Sequence, residues 1–143
     1  MGQVVLMDAS VVVKWCAPAG EPRAAEAAAL LEAHLQGSLT AAVLDLTFYE
    51  VGNALTAKGF TGTELEGLLD LLWVWDLEWI PLGGGEQSRT VASLVDRYEL
   101  SFYDASYLAA ATTRALPLVT DDRALLLAAT GEGIGIDLAN VTT

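Results

Sequence analysis

The chain has 143 residues, 53% of them hydrophobic, so it is long enough to fill one core, too short for two and too apolar to stay disordered. No stretch approaches the roughly 18 uninterrupted apolar residues of a membrane helix. Seven basic residues against nineteen acidic ones give a net charge of −12, a field that repels nucleic acid unless cations or a local basic patch intervene and that favours a basic partner.

The start, MGQVVLMDAS, lacks the basic segment, long apolar run and small-residue cleavage site of a secretory leader, which makes the cytoplasm the expected compartment. VVLM (4–7) reads as a strand and the segment from Ser10 to Trp15 as a brief helical turn. Cys16 and His34 are the only cysteine and histidine. They exclude an internal disulfide and a zinc site of sulfur and imidazole, so any metal would sit among oxygens. An alanine-rich helix is predicted from Glu21 to Gln36, with Pro22 in its first turn and Gly37 as its stop. His34 lies there among Leu30, Leu31 and Leu35, a structural or surface position. LTAAVL (39–44) is a second strand, and Asp45 opens a helix that ends at Gly59. TGTELEGLLDLLWVWD offers another helix with Thr61 or Thr63 as cap, and LEWIPL (77–82) a third strand. After GGG (83–85) come the helix EQSRTVASLVDRYEL and, from Ser101, the helix FYDASYLAAATTRA. PLVT (117–120) is a fourth strand, DRALLLAAT a last helix stopping at Gly131, and IGIDLANV a weak edge strand.

Strands that are continuously apolar and separated by helices describe a parallel sheet covered on both faces. The expected fold is α/β, a single domain with four or five strands. Ligands of such sheets collect outside the carboxyl ends of the strands, where Asp8 and the pair Asp121 and Asp122 fall.

Each acid has an ordinary reading. Asp8 can cap the short helix that follows it, Asp122 can be a first-turn charge behind Thr120 or Asp121 as cap, and Ser101 with Asp104 has capping-box spacing. Glu50 is different, because it lies in mid-helix with Leu46, Thr47, Asn53 and Ala54 at helical spacing, an inward-looking face on which Asn53 could hold its rotamer. A buried carboxylate is costly unless partnered or directed at a cation. Three or four acids from separate βα units suit a hard cation such as Mg²⁺ or Mn²⁺, and phosphodiester hydrolysis by an activated water is the chemistry that uses such a set. Lys14 would form a surface salt bridge or contact a phosphate. Trp73, Trp75 and Trp79 would belong to the core or to a dimer face.

With these residues in place, the chain resembles the PIN-domain ribonucleases, particularly VapC-type toxins of toxin–antitoxin pairs. The likeness rests on the ordered segments MDASVVVKW, YEVGNAL, SFYDASYLAAA and LPLVTDDRAL. It implies a PIN-like fold, Mg²⁺- or Mn²⁺-dependent cleavage of RNA, a homodimer, and an antitoxin whose basic tail enters the acidic groove. It assigns catalysis and metal binding to Asp8, Glu50, Asp104 and Asp122, supporting hydroxyls to Ser10 and Thr120, and a supporting amide to Asn53. Asp121 fills the unconstrained middle of the T-x-D pattern and counts as a neighbour. The departure from the family is the acidity, which leaves Lys14, Arg89, Arg97, Arg114 and Arg123 as the cations available to RNA. Two other classes remain open: a Mg²⁺-binding phosphoacceptor domain, which would need a lysine at a later strand end that LPLVTDD and IGIDLAN do not supply, and a non-catalytic acidic groove that engages a basic peptide.

Overall fold

A computed structural model describes residues 2–81 and 83–141. Its elements run β1 (Gln3–Met7), α1 (Ala9–Cys16), α2 (Ala24–Leu35), β2 (Leu39–Leu44), α3 (Asp45–Ala57), α4 (Gly62–Val74), β3 (Glu78–Ile80), α5 (Gly85–Tyr98), α6 (Phe102–Arg114), β4 (Leu118–Thr120), α7 (Arg123–Gly131) and β5 (Gly135–Asp137), followed by a 3₁₀ turn, Leu138–Asn140. All strand pairs are parallel, and the sheet order is β3-β2-β1-β4-β5.

That order places the chain's first strand in the middle. The sheet grows outward through β2 and β3, then crosses back to lay β4 on the other side of β1. Loops leaving β1 and β4 therefore diverge to opposite faces, opening a crevice at their carboxyl ends. Because successive strand residues point to opposite faces, the strands divide themselves between two cores. Val5, Met7, Ala41 and Val43 pack with α1, α2, α3 and α4 residues such as Val12, Ala27, Val51 and Leu72. Leu6, Ala42, Leu44 and Leu118 pack with residues of α5, α6 and α7 such as Val91, Leu108 and Leu125. This is the two-faced α/β sheet expected from the apolar runs. In α6 every residue from Ala105 to Ala111 is buried, and the alanines there let α5, α7 and the sheet approach closely.

Local details differ from the sequence expectation where tertiary contacts decide. Helix α2 begins at Ala24 rather than at Glu21 with Pro22 in its first turn, because Arg23 adopts a left-handed conformation (φ 56°) and turns its side chain toward Asp121. The third strand is shorter than 77–82, and Leu82 lies outside the described residues. Gly37 and Gly59 take the left-handed conformation that ends a helix, as predicted, but after α7 Gly133 does so instead of Gly131. A Cβ at Gly131 would meet Tyr98 Oη at 3.0 Å, so that glycine allows close packing of α5 on α7. Among the aromatics, Trp75 is partly buried against the core, edge-on to Trp15, while Phe48, Trp73 and Trp79 form a stacked row with Trp73 half exposed.

His34 is structural. Its Nδ1 accepts the Ala41 N–H at 3.0 Å, which leaves Nε2 to carry the ring proton and donate to the Trp75 carbonyl at 2.7 Å. One ring thus ties α2 to β2 and to the end of α4. Substitution His34→Ala removes both bonds and should lower unfolding free energy by about 1–3 kcal/mol, read as a lower urea midpoint with an unchanged slope. An unaltered midpoint would show that the ring carries no such tie.

Candidate active site at the acidic crevice

The end of β1 delivers Asp8 directly beside the end of β4, since Met7 pairs with Val119. Asp8 occupies the N-cap position of α1 but makes no capping bond with its side chain. Instead, Ser10 Oγ donates to Oδ1 at 2.6 Å and Thr120 Oγ1 donates to Oδ2 at 2.8 Å. These hydroxyls are themselves fixed, Ser10 accepting the Asp121 N–H at 3.0 Å and Thr120 the Asp122 N–H at 2.9 Å. The carboxylate is only 4% exposed. Burial raises its pKa to about 7, against the pull of the two hydroxyls and with help from the charges of Asp104 and Asp122.

Asp122 is exposed and is itself the cap of α7, its Oδ1 accepting the Leu125 N–H at 3.0 Å. It is not a first-turn charge behind another cap. Asp104 lies in the first turn of α6, whose cap, Ser101 Oγ, accepts the Asp104 N–H at 3.1 Å. Burial lifts the Asp104 carboxyl to about 6, and the neighbouring charges of Asp122 and Glu50 push the same way.

Glu50 reaches the crevice from the opposite face of the sheet. The link is a buried hydrogen bond of 2.8 Å between Thr47 Oγ1 of α3 and Tyr107 Oη of α6, with Thr47 also accepting the Leu44 N–H at 3.1 Å. Glu50 lies three residues after Thr47 and Asp104 three residues before Tyr107, so the stitch turns both acids to the same side. Burial raises the Glu50 carboxyl above its ordinary value, opposed by the nearby Tyr107 phenol. Its Oε1 is enclosed and has no hydrogen-bond partner. Asn53 makes no bond to it among the described residues and is exposed, so the expected amide support is missing.

The four sequence-predicted acids therefore sense one another: Asp8 with Asp104 and Asp122, and Asp104 with Glu50. Among the described residues they do not form a closed cage, for no three Asp, Glu, His or Cys side chains make a group that could hold an ion as they lie. Their chemistry is an all-oxygen donor set, the kind that hard divalent cations take, and the unpartnered Glu50 Oε1 is an atom that a cation would satisfy.

The flank of the crevice is built from contacts between residues far apart in the chain, which local sequence does not reveal. Lys14 is not at the surface but 4% exposed, with Nζ 3.1 Å from Glu21 Oε1 and 3.2 Å from Asp121 Oδ2. Arg23 contacts both Asp121 oxygens, at 2.5 and 2.8 Å. Burial would raise the Asp121 carboxyl, but Arg23 and Lys14 outweigh it and hold the group below its ordinary value. Arg97 of α5, also expected to face RNA, pairs with Glu132, the residue just beyond α7, at 3.0 Å.

Fold and site together define an α/β domain with an acidic crevice at the switch between β1 and β4. Residues 5–131 match the PIN domain family, and the chain belongs to that family. Its fold is similar to that of PAE2754 from Pyrobaculum aerophilum (26% identity, TM-score 0.65, 96% of this chain and 90% of that one). It also resembles a toxin–antitoxin complex chain from Klebsiella pneumoniae (19% identity, TM-score 0.68, 94% and 97% covered). A third likeness is to Mycobacterium tuberculosis VapC20, a sarcin–ricin loop cleaving toxin (16% identity, TM-score 0.68, 87% and 94% covered). No curated protein matches the chain. Among the described residues no helix is long and apolar enough to cross a membrane.

The raised carboxyls have a thermodynamic consequence. A group whose folded pKa lies above its unfolded value contributes its full stability below the unfolded pKa and loses it as pH rises through the folded one. For Asp8 that window runs from about pH 4 to about pH 7, with a loss of up to about 4 kcal/mol. The metal-free protein should therefore melt at lower temperature at pH 8 than at pH 5. Asp8→Asn should flatten this dependence and melt above the unsubstituted protein at pH 8. Equal pH dependence in both proteins would contradict the burial cost assigned to Asp8.

Proposed function

We propose that the protein is a Mg²⁺- or Mn²⁺-dependent endoribonuclease acting as the toxin of a toxin–antitoxin pair. One observation carries the reading: Asp8 is buried in a clasp of two hydroxyls and feels the charges of Asp104 and Asp122, while Asp104 feels that of Glu50. Membership of the PIN domain family and the fold likeness to toxins, VapC20 among them, support it.

Asp8, Asp104 and Asp122 hold the cation, and Glu50 completes the set or orients the attacking water. A divalent cation held by these carboxylates would supply charge neutralisation for the scissile phosphodiester and a lowered pKa for the attacking water. Ser10 and Thr120 keep the Asp8 oxygens directed into the crevice. Glu50, with its unpartnered Oε1, would orient the attacking water as its oxygen bonds to phosphorus and the P–O ester bond breaks, the water's proton ending on the departing ester oxygen. No side-chain nucleophile is needed. Because the crevice is acidic and the chain carries −12, the inhibitor is an antitoxin whose basic tail occupies the same place. The working assembly is a homodimer, supported by the exposed aromatics Tyr49, Phe102 and Tyr103 around an apolar recess of about 220 Å³. The cytoplasm, where RNA and antitoxin are made, is the compartment.

The test is cleavage of RNA by the purified protein with Mn²⁺. Asp8→Asn and Asp104→Asn should each lower the rate by about 100-fold or more while leaving the far-ultraviolet spectrum intact, and a chelator should abolish it. Undiminished cleavage in either variant, or in the presence of chelator, would refute the assignment. Tight binding of a basic peptide without any cleavage would point instead to the non-catalytic groove.

A further inference from the structure

Helix α1 presents Ser10 and Lys14, four residues apart and so on one face, to a single residue of the turn between β4 and α7. Ser10 Oγ accepts the Asp121 backbone N–H at 3.0 Å, and Lys14 Nζ lies 3.2 Å from the same residue's Oδ2. Arg23 adds a third point of attachment, with Nε 2.5 Å from Oδ1 and Nη2 2.8 Å from Oδ2. It does so from a left-handed backbone (φ 56°), a conformation unfavourable for a non-glycine residue. Glu21 closes the cluster, contacting Lys14 at 3.1 Å and Lys58 at 2.5 Å. Three of the chain's seven basic residues are thus spent on two acids beside the crevice.

The turn held in this way supplies the two amides on which the Asp8 clasp depends. The Asp121 N–H enters Ser10 and the Asp122 N–H enters Thr120. A hydroxyl has one proton to give. With an amide on its acceptor side, that proton is aimed, and both are aimed at Asp8. A shift of the turn would therefore misdirect both protons at once and carry Asp122 with it. Any residue but proline could offer the 121 amide. Only an acidic side chain can be gripped by Lys14 and Arg23 together.

We propose that Asp121 is a positioning residue: anchored by Lys14 and Arg23, it fixes the turn from Thr120 to Asp122 so that Asp8 and Asp122 are presented to the reacting phosphate in working orientation. This rests on the nuclease reading. It assigns Lys14 and Arg23 to the upkeep of the site and removes Lys14 from the cations available to RNA.

The alternative is that the cluster only stabilises the fold. Two variants separate the roles, because both break an ion pair to buried Lys14 but only one loosens the turn. Asp121→Asn should weaken Mn²⁺ binding, measured by calorimetry, by about 10- to 100-fold and lower kcat similarly, with KM for RNA changed by no more than about 2-fold. Arg23→Gln, a milder change at a more exposed residue, should act in the same direction. Glu21→Gln should lower the urea midpoint yet keep the Mn²⁺ affinity of the unsubstituted protein. The proposal is overturned if Asp121→Asn binds Mn²⁺ normally, or if Glu21→Gln weakens binding as much. Should Asp121→Asn fail to fold, normal Mn²⁺ binding by Arg23→Gln overturns it. Failure of the unsubstituted protein to bind Mn²⁺ overturns the nuclease reading itself, and the positioning role with it.

Discussion

A carboxylate at the end of a central strand, 4% exposed and acted on by the charges of two other acids, Asp104 and Asp122, sets the terms for the rest of this structure. Left alone, Asp8 would take up a proton. Two hydroxyls donating to it lower that tendency without cancelling the burial, so the group sits near the boundary between its neutral and charged forms at physiological pH. Such a balance is costly to a fold and useful to a site, since the electrostatic strain is relieved when positive charge arrives.

The sheet order makes the convergence possible. Placing β1 beside β4 brings the first and last acids together across more than a hundred residues of chain, and the two helical layers supply the others, α3 from one face and α6 from the other. The Thr47–Tyr107 bond is where those layers meet. It links the two hydrophobic cores at the rim of the crevice, which is why Glu50 and Asp104 share a side although their helices pack on opposite faces of the sheet. The ion cluster around Asp121 does comparable work on the other flank.

Much of this was legible in the sequence. Continuous apolar strands between helices announced a parallel sheet, and acids at strand ends announced the crevice, because both signals are local and repeat in each βα unit. Glu50 could be singled out because capping cannot explain an acid in mid-helix. What could not be read were contacts between distant segments. Lys14 looked like a surface cation since its partners, Glu21 and Asp121, are joined to it only by the fold. Pro22 suggested an earlier start for α2, whereas the reach of Arg23 toward Asp121 fixes the boundary. Asn53, one turn beyond Glu50, had suitable spacing and chemistry, yet the helix faces it outward. Asp122 was read as lying behind a cap and is the cap, a shift of one residue that helix propensity does not resolve.

The central claim is that these four acids act as one binding place for a hard cation, and paramagnetic broadening by Mn²⁺ in the protein's NMR spectrum tests it most directly. At substoichiometric Mn²⁺ the account predicts that amide signals of Asp8, Glu50, Asp104 and Asp122 fade together while those of Glu32 on α2 and Arg89 on α5 persist. Broadening spread evenly over the acidic surface, or confined to one of the four, would contradict it.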